Sequence, residues 1–440
     1  MRVRVVRNRY VDSVRLMKVA ADVRARDGVT ACEAVMGTPA NLQALGIECD
    51  AGPADVVIAI DGPEEALDLA ERALTATAEA AGSAEAAPRS LAGTDANVAL
   101  ISVPGEYAVL EAHRALTCGM HVFLFSDHVG VSDEVALKRR GAGRGLLVMG
   151  PECGTAMLGG VGLGFANVVR SGSVGIVAAA GTGAQEASVL LDRAGAGVSQ
   201  IVGVGGRDLS ADVGGIMFRQ GMELLAADDG TDTLLLVSKP PDRDAVAALG
   251  DVDPGGKRVV AAFVGWDGGD APFEVHPTLE AGACAAAGAD PPGGDGGDLP
   301  RGGALLGLFS GGSLAHEAQT ILGPGHRILD LGAEEYTQGR PHPMVDLELR
   351  RRMLREEGPG AGCVLLDVVL GHGSHPDPAG ELAETLAALA RGRPVIAHVC
   401  GTDRDPQDAA RQEAVLRDAG VVVAPTNAAA ARLARRVVVA

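Results

Sequence analysis

The sequence predicts a multidomain α/β protein in which Rossmann-like N-terminal units precede two tandem flavodoxin-like domains with parallel sheets. Three observations predict this fold class. A chain of 440 residues is too long for one hydrophobic core. Short apolar runs that end in glycine turns alternate with helical patterns, as in parallel sheets covered by helices. A set of strands with one shared motif also occurs twice in the same order, which indicates tandem domains.

The first half of the chain is predicted to hold two small α/β units. Residues 1–80 contain three strand patterns separated by helical patterns, and residues 95–165 contain a second set that predicts a Rossmann-like unit. The stretch 81–95 lacks hydrophobic periodicity and is predicted to be a linker. The N-terminus alternates charges with valines, which is typical of a strand and differs from a signal peptide.

The second half is organised around the segment SGSVGIVAAAGTGAQE, which contains an apolar run and then a glycine turn. The run predicts a buried strand, and the turn Gly181-Thr182-Gly183 opens a helical pattern. Backbone N–H groups at such a turn lie at a helix N-terminus and favour phosphate or carboxylate. A glycine turn of this kind also serves as a simple connection between a strand and a helix.

This pattern occurs twice. Gly181–Ala187 and Gly312–Ala318 share the motif G-[TS]-x-A-x-E-A, and three further strands follow each copy in the same order. We therefore predict flavodoxin-like domains over residues 170–284 and 304–440. A Gly/Pro/Asp-rich stretch over 285–303 is predicted to be a flexible linker between them.

Both repeats place a glycine turn at the carboxyl ends of parallel strands, where open α/β sheets bind ligands. Each helix N-terminus supplies about half a positive charge, so two converging N-termini would compensate much of the charge of a phosphate. The predicted phosphate-binding residues are Gly181, Thr182, Gly183, Gly311, Gly312 and Ser313.

Composition excludes several classes of function. The net charge of −19 and the low aromatic content of 2% argue against nucleic acid as a partner. The seven cysteines form no CxxC pair, which indicates reduced thiols in a cytoplasmic protein and neither a disulfide framework nor a zinc site. No apolar stretch reaches the length of a membrane span, so no membrane association is predicted.

Motifs along nearly the whole chain resemble a known family. SGSVGIVAAAGTGAQE and IVGVGGRDL are similar to the α-subunit of succinyl-CoA synthetase, and GLFSGGSLAHEA and VLLDVVLGHG are similar to the ligase domain of its β-subunit. MGTPANL, GLLVMGPECGT, SKPP, GRPHPMVD and GTDRDPQ resemble the FdrA family, which joins these parts in one chain. The resemblance makes residues 95–165 similar to a CoA-binding unit. It implies a component of oxamate carbamoyltransferase, which interconverts oxamate with carbamoyl phosphate in purine and allantoin catabolism.

The chain departs from succinyl-CoA synthetase at three places. Residues 1–90 hold no glycine-rich dinucleotide fingerprint, so the usual seat of the CoA phosphate is missing from the pattern. The loop after Gly265 reads WDGGDAPFE and has no histidine before His276, whereas the resemblance places the phosphorylated histidine in that loop. No stretch is long enough for an ATP-grasp domain. The expected bound anion is carbamoyl phosphate or phosphate, and neither CoA nor a metal is expected.

Carbamoyl transfer requires a phosphate cradle, a donor to the developing oxyanion and a cation for the carboxylate of the second substrate. Lys239, at a predicted strand end, is expected to neutralise the phosphate. Arg207 and Arg340 are expected to hold the carboxylate of oxamate. His316 and His342 are candidates for donating to the oxyanion or for acid–base catalysis.

Structural roles compete with several of these assignments. Lys239 could instead be a solvated lysine at a strand end. His316 could instead be an ordinary residue on a helix surface. His372 and His375 follow the third strand of the second repeat rather than the fourth, so a loop role is predicted for them. Asp403 and Asp405 are predicted to cap the helix that follows.

The leading functional hypothesis is a carbamoyltransferase component that binds small anionic substrates and works as a homo-oligomer or with other carbamoyltransferase subunits. One alternative is a component of an NDP-forming acyl-CoA synthetase whose nucleotide-binding domain lies on another chain. A second alternative is a non-catalytic scaffold that senses an anion.

Overall fold

The computed structural model describes residues 1–9, 11, 13–76, 91–267, 269–293, 299–300, 302–337 and 340–438. The strands are β1 (Arg2–Val6), β2 (Ala31–Met36), β3 (Val56–Asp61), β4 (Val98–Ile101), β5 (His121–Leu124), β6 (Val148–Met149), β7 (Thr155–Leu158), β8 (Val161–Gly164), β9 (Ser171–Ala179), β10 (Val198–Gly203), β11 (Thr233–Ser238), β12 (Arg258–Phe263), β13 (Glu274–His276), β14 (Leu305–Phe309), β15 (Arg327–Asp330), β16 (Cys363–Val369), β17 (Val395–Cys400) and β18 (Val422–Ala424). The helices are α1 (Ser13–Arg24), α2 (Pro39–Leu45), α3 (Glu64–Ala76), α4 (Gly105–Thr117), α5 (Val131–Ala142), α6 (Gly181–Arg193), α7 (Ile216–Ala227), α8 (Arg243–Leu249), α9 (Leu279–Ala287), α10 (Gly312–Leu322), α11 (Glu334–Thr337), α12 (Glu348–Glu356), α13 (Pro378–Ala390), α14 (Ala409–Asp418) and α15 (Asn427–Val438).

Two compact units divide the chain. The smaller unit comprises residues 1–94 and 331–349, and the larger unit comprises residues 95–330 and 350–440. The prediction that 331–349 belongs to the second flavodoxin-like domain is wrong. The segment has no apolar periodicity that would indicate its partner, but an ion pair between Arg24 and Asp346 joins it to α1.

The smaller unit is an antiparallel sheet with the strand order β1-β3-β2. Both outer strands run antiparallel to the central β3. The prediction of Rossmann-like N-terminal units is therefore wrong for this unit. The apolar side chains of α1 and α3 pack on one face of the sheet, and α2 covers the other face. Successive residues of β2 point to opposite faces of the sheet, so this strand contributes apolar side chains to both faces.

The larger unit begins with the parallel sheet β4-β5-β6, which confirms the parallel pairing predicted after residue 95. The next sheet has seven strands in the order β13-β12-β11-β9-β10-β7-β8. The hairpin β7–β8 joins this sheet because β7 pairs antiparallel with β10. The predicted limits at residues 165 and 170 therefore fall after a hairpin that belongs to the larger sheet.

The third sheet of this unit has five parallel strands in the order β15-β14-β16-β17-β18. The parallel core of the seven-stranded sheet has the matching order β10-β9-β11-β12-β13. Both correspond to the order 2-1-3-4-5 of flavodoxin-like folds, which confirms the predicted fold class and its duplication.

Four short strands were missed in the sequence: β7, β8, β13 and β18. The third unit was predicted to end at β12, but β13 follows and pairs with it. Each of the four strands has only three or four residues, which gives a weak periodic signal. The first residues of the predicted linker 285–303 also belong to α9, and residues 81–90, most of the other predicted linker, lie outside the described part of the chain.

A reciprocal pair of carboxylates joins the two flavodoxin-like repeats. Glu186 of α6 accepts a hydrogen bond from the Asn427 N–H, at the start of α15 in the second repeat, at 3.3 Å. Glu317 of α10 accepts one from the Leu279 N–H, at the start of α9 in the first repeat, at 2.6 Å. Each glutamate of the G-[TS]-x-A-x-E-A motif thus caps a helix of the opposite repeat, where negative charge is favourable.

Among the described residues, no helix combines the length and apolar character needed to cross a membrane.

Candidate functional site

The two predicted glycine turns contact each other. The Thr182 Oγ1 accepts a hydrogen bond from the Ser313 N–H at 3.2 Å, which joins the first turn of α6 to the first turn of α10. Neither helix has a side-chain cap of its own. A Cβ atom added to Gly311 would lie 3.0 Å from three atoms of the Thr182 side chain, so the close approach of the turns favours a glycine there.

A buried carboxylate binds the two residues that immediately precede α10. Asp367, in the middle of β16, accepts hydrogen bonds from the Gly311 N–H and the Ser310 N–H, both at 2.8 Å. Arg350 balances its charge, with Nη2 donating to the Asp367 Oδ1 at 2.7 Å. This cluster was missed in the sequence, where a single Asp inside the apolar run VLLDVV was the available signal.

The N-terminus of α6 is open. Within the described parts of the chain, no group accepts a hydrogen bond from the backbone N–H of Gly181, Thr182 or Gly183. Gly181 is exposed, whereas Gly183 is buried. The first N–H groups of a helix have no acceptor inside it, and an anion is a suitable partner for them. All three of these donors of α6 are available to a phosphate, whereas in the first turn of α10 the Ser313 N–H already donates to Thr182.

Lys239 and His316 lie near this pair of turns. Lys239 directly follows β11, is exposed, and forms no hydrogen bond or ion pair with the described residues. Burial, and then the charge of Lys239, lower the pKa of His316, which keeps its ring neutral at neutral pH. The His316 Nε2 is buried and lacks a hydrogen-bond partner among the described groups. The structure thus brings a cation and a neutral imidazole close together.

Arg207 belongs to a separate buried network. Its Nε donates to the Glu134 Oε2 and its Nη2 to the Val129 carbonyl, both at 2.9 Å. Glu134 also pairs with the fully buried Lys138, whose Nζ lies 2.7 Å from Asp208. These bonds hold the Arg207 guanidinium against α5 and the loop before it, rather than at the turns of α6 and α10.

Arg340 and His342 belong to the smaller unit, whereas the other predicted site residues belong to the larger unit. The His342 Nδ1 accepts a hydrogen bond from the Met344 N–H at 3.2 Å. Burial raises the pKa of Glu33, and the charge of Arg340 partly opposes that rise. Neither unit contains Arg340 and His342 together with Lys239 and His316.

The remaining polar loop residues have structural partners. The His375 Nδ1 accepts a hydrogen bond from the Asp377 N–H at 3.1 Å, in agreement with a loop role. Asp403 accepts from the Ala410 N–H at the start of α14, as predicted. Asp405 does not cap that helix, because its carboxylate accepts from Asn167 at 2.8 Å and from the Val168 N–H at 2.6 Å.

Comparison with known proteins places this chain in a family. YahF of Escherichia coli K12, which is described as uncharacterized, is 36% identical over 500 aligned positions that cover 97% of this chain and 96% of YahF. The chain belongs to the FdrA-like family of YahF. Two family descriptions also match parts of it: "CoA-ligase" over residues 308–437, and "AllF, heavy metal-associated domain" over residues 1–101.

Part of this FdrA-like chain is similar to succinate–CoA ligases. The mitochondrial α-2 subunit of the ADP-forming enzyme from Trichomonas vaginalis is 29% identical over 179 residues, which are 39% of this chain and 57% of that subunit. The FdrA-like chain thus spans little more than half of that relative. A solved acetyl-coenzyme A synthetase from Ca. Korarchaeum cryptofilum aligns over 79% of this chain and 84% of its own, at 14% identity with a TM-score of 0.34.

The thiols of the smaller unit do not fit a heavy metal. Cys32 is packed in the core beneath α1 and α3, and burial raises its pKa to about 12. Cys49 packs against the apolar cluster on the opposite face of the sheet. Two thiols on opposite faces cannot share one ion, and thiolate rather than thiol is the metal ligand. Among the described residues, no group of three potential ligands is close enough to hold a metal.

Proposed function

We propose that this FdrA-like chain is the phosphate-binding component of an enzyme of the NDP-forming acyl-CoA synthetase type, in which a separate chain binds the nucleotide. The observation that carries the proposal is the open N-terminus of α6 beside Lys239, within a unit that is similar to succinate–CoA ligase subunits.

The proposed chemistry is acyl transfer from an acyl phosphate to a thiol. The N–H groups of Gly181, Thr182 and Gly183 hold the phosphate, and Lys239 neutralises it as it leaves. The thiol sulfur forms a bond to the acyl carbon while the bond from that carbon to the phosphate oxygen breaks. The thiol proton passes to the neutral His316, and the electron pair of the broken bond stays on the phosphate.

Thr182 links the two repeats in this scheme. Its oxygen accepts from the Ser313 N–H, so its own hydroxyl proton is free to be donated to a phosphate oxygen. The hydrogen bond from the Ser313 N–H, at the start of α10, polarises the Thr182 hydroxyl group and strengthens its hydrogen bond to the anion. The direct contribution of α10 is smaller, because its Ser313 N–H donates to Thr182 rather than to the anion.

The proposal is tested by isotope exchange in the complex purified with its native partner chains. With an acyl phosphate and CoA, the complex is expected to exchange labelled phosphate into the acyl phosphate. Lys239→Ala is expected to lower this rate by about 10²-fold, as is typical when one group that stabilises transition-state charge is lost. An unchanged rate in Lys239→Ala would contradict the proposal and favour a non-catalytic scaffold.

Carbamoyl transfer is a second candidate. The observation in its favour is the loop between β12 and β13, which contains no histidine to carry a phosphoryl group. A chain without that relay suits a substrate that arrives already activated, such as carbamoyl phosphate. Oxamate would then take the place of the thiol, and phosphate would leave in the same way.

The two candidates give different products in one assay. The native complex is incubated with carbamoyl phosphate and oxamate, or with acetyl phosphate and CoA, and phosphate release is followed. Phosphate release that depends on oxamate supports the carbamoyltransferase, whereas release that depends on CoA supports the ligase-type component. Release in neither mixture would contradict both.

A further inference from the structure

A cavity lies on the outer face of α7, in the larger unit. Its volume is ≈ 400 Å³, within the range of small-molecule sites. One wall is a single face of α7, since its residues recur at helical spacing. They are Ile216, Arg219, Gln220, Glu223 and Leu224. The opposite wall is formed by the C-terminal end of α5 and the turn after α8. None of these residues belongs to the site at the N-terminus of α6.

Two polar groups on this wall lack partners. Arg219 is half-buried, and its guanidinium forms no hydrogen bond or ion pair with the described residues, even though Glu223 is one turn away. Gln220 is 8% exposed, and its Oε1 has no hydrogen-bond partner among the described groups. Buried polar groups in native proteins are nearly always paired, so an unpaired amide beside an unpaired guanidinium indicates a missing partner.

The rest of the lining combines apolar side chains with two exposed carboxylates, Glu223 and Asp251. Leu224 is 41% exposed, one of few large apolar side chains with such exposure in the described chain. Ile216 lies two turns before it on the same face, and Val252 faces the cavity from the turn after α8. An anion alone would satisfy Arg219 but would leave this apolar surface in water.

We propose that this cavity binds a small amphipathic anion. The ligand carries one carboxylate, sulfonate or phosphate group for Arg219, an N–H or O–H donor for Gln220, and an apolar body that covers Ile216 and Leu224. Arginine is well suited to such planar or tetrahedral anions because its donors form a fixed fork. This site does not depend on the proposed reaction at α6.

The probe for the test is 8-anilinonaphthalene-1-sulfonate, which has a sulfonate, an aniline N–H and an aromatic body. With the full chain at pH 7, its fluorescence is expected to saturate at one probe per chain. Arg219→Gln is expected to raise the dissociation constant at least about tenfold, through loss of a charge-assisted hydrogen bond. Arg139→Gln is the matched control, since it removes the same charge from an exposed position on α5 outside the cavity.

Gln220→Leu separates binding from folding. It removes the unpaired amide, so the thermal midpoint without probe is expected to rise while the affinity for the probe falls. Adenosine 5′-monophosphate and indole-3-acetate are then tested as competitors. Displacement by the phosphate or by the carboxylate compound supports the site and identifies the preferred anion. Probe binding that neither compound displaces, or that Arg219→Gln and Gln220→Leu leave unchanged, would overturn the proposal.

Discussion

At the scale of single residues, anion binding depends on which groups at the two glycine turns are free. The first three N–H groups of α6 are unpaired, whereas in α10 the Ser313 N–H donates to Thr182 and the N–H of Gly311, just before the helix, donates to Asp367. The motif G-[TS]-x-A-x-E-A is the same in both repeats, but its surroundings make the turns unequal. Duplication of a motif therefore does not imply duplication of a binding site.

Gly183→Ala tests the packing between the turns. An added Cβ would lie 3.0 Å from the Ala180 Cβ, 3.2 Å from Val237 and 3.4 Å from the Ser313 Cβ, so the turns must move apart. We expect a loss of about 1–3 kcal/mol in the free energy of unfolding, as is typical of overpacked sites. Urea unfolding of both forms measures this loss.

Gly206→Ala is the control for that variant. A Cβ at Gly206 meets no atom within 4 Å, and its backbone is not left-handed. Its unfolding midpoint should equal that of the unchanged protein or exceed it slightly. Equal effects of the two substitutions would contradict the packing described for the α6 turn.

Thr182→Val tests the hydroxyl that links the repeats. Valine keeps the shape of threonine but leaves the Ser313 N–H without its acceptor, at a cost of about 1 kcal/mol. Phosphate affinity, measured by calorimetry, is expected to fall several-fold because the hydroxyl donor is lost as well. Thr182→Ser retains the hydroxyl and is expected to bind phosphate normally. If serine and valine weaken binding equally, the hydroxyl has no role.

At the scale of elements, the crossed caps between α6, α9, α10 and α15 explain why each motif contains a glutamate. Burial raises the pKa of Glu317 to about 7. Burial acts in the same direction on Glu186, but the charge and hydrogen bond of His398 outweigh it and lower the pKa of that carboxyl. Two equivalent positions thus differ in protonation because only one faces a histidine.

This difference predicts how stability depends on pH. The pKa of Glu317 is higher in the folded state than the 4.5 of an unperturbed glutamate, so its contribution is present at acidic pH and is lost as the pH rises through about 7. The loss is up to about 3 kcal/mol for a shift of this size. Urea midpoints measured between pH 5.5 and 8.5 are expected to fall with pH in the unchanged protein.

Glu317→Gln is expected to remove that fall, since glutamine keeps the shape but does not titrate. Glu186→Gln is the matched control at the equivalent position. Because the pKa of Glu186 is lowered, its contribution is present at neutral pH and is lost only under acidic conditions, so the fall between pH 5.5 and 8.5 should persist. Persistence of the fall in Glu317→Gln would refute the assignment.

The elements that the sequence predicted well are those with long apolar runs. Strands such as β9 and β16 are buried along most of their length, so their hydrophobic pattern is unambiguous. The open turn at the start of α6 was predictable for the same reason, because a glycine turn ended a clear strand. The short strands β13 and β18 are held by backbone pairing to a neighbour, which leaves little trace in side-chain pattern.

The parts of the site that were not predictable depend on contacts between distant segments. The pairing of Asp367 with Arg350 and with the turn before α10 requires the register of β14 on β16. The sequence suggests that Arg207 binds an anion, but its guanidinium pairs with Glu134 instead. Glu134 lies 73 residues away in the sequence, so the local pattern does not reveal this pairing. Nor does the pattern of residues 331–349 show that they pack with the N-terminal unit.

At the scale of the whole molecule, the two repeats are expected to associate even without a covalent connection. Their contacts include the crossed caps and hydrogen bonds from Arg193 to the carbonyls of Val399 and Pro425. Residues 1–293 and 299–440, coexpressed as two chains, are therefore expected to copurify. Replacing both Glu186 and Glu317 by alanine should weaken their association. Separate elution of the unmodified fragments would contradict the role of these contacts at the junction.

The central claim is that the N-terminus of α6 binds an anion, and a crystal structure of the protein soaked in phosphate tests it most directly. We predict phosphate density within hydrogen-bond distance of the N–H groups of Gly181, Thr182 and Gly183, with Lys239 turned towards it. At saturating phosphate, an α6 N-terminus occupied only by water would contradict the claim.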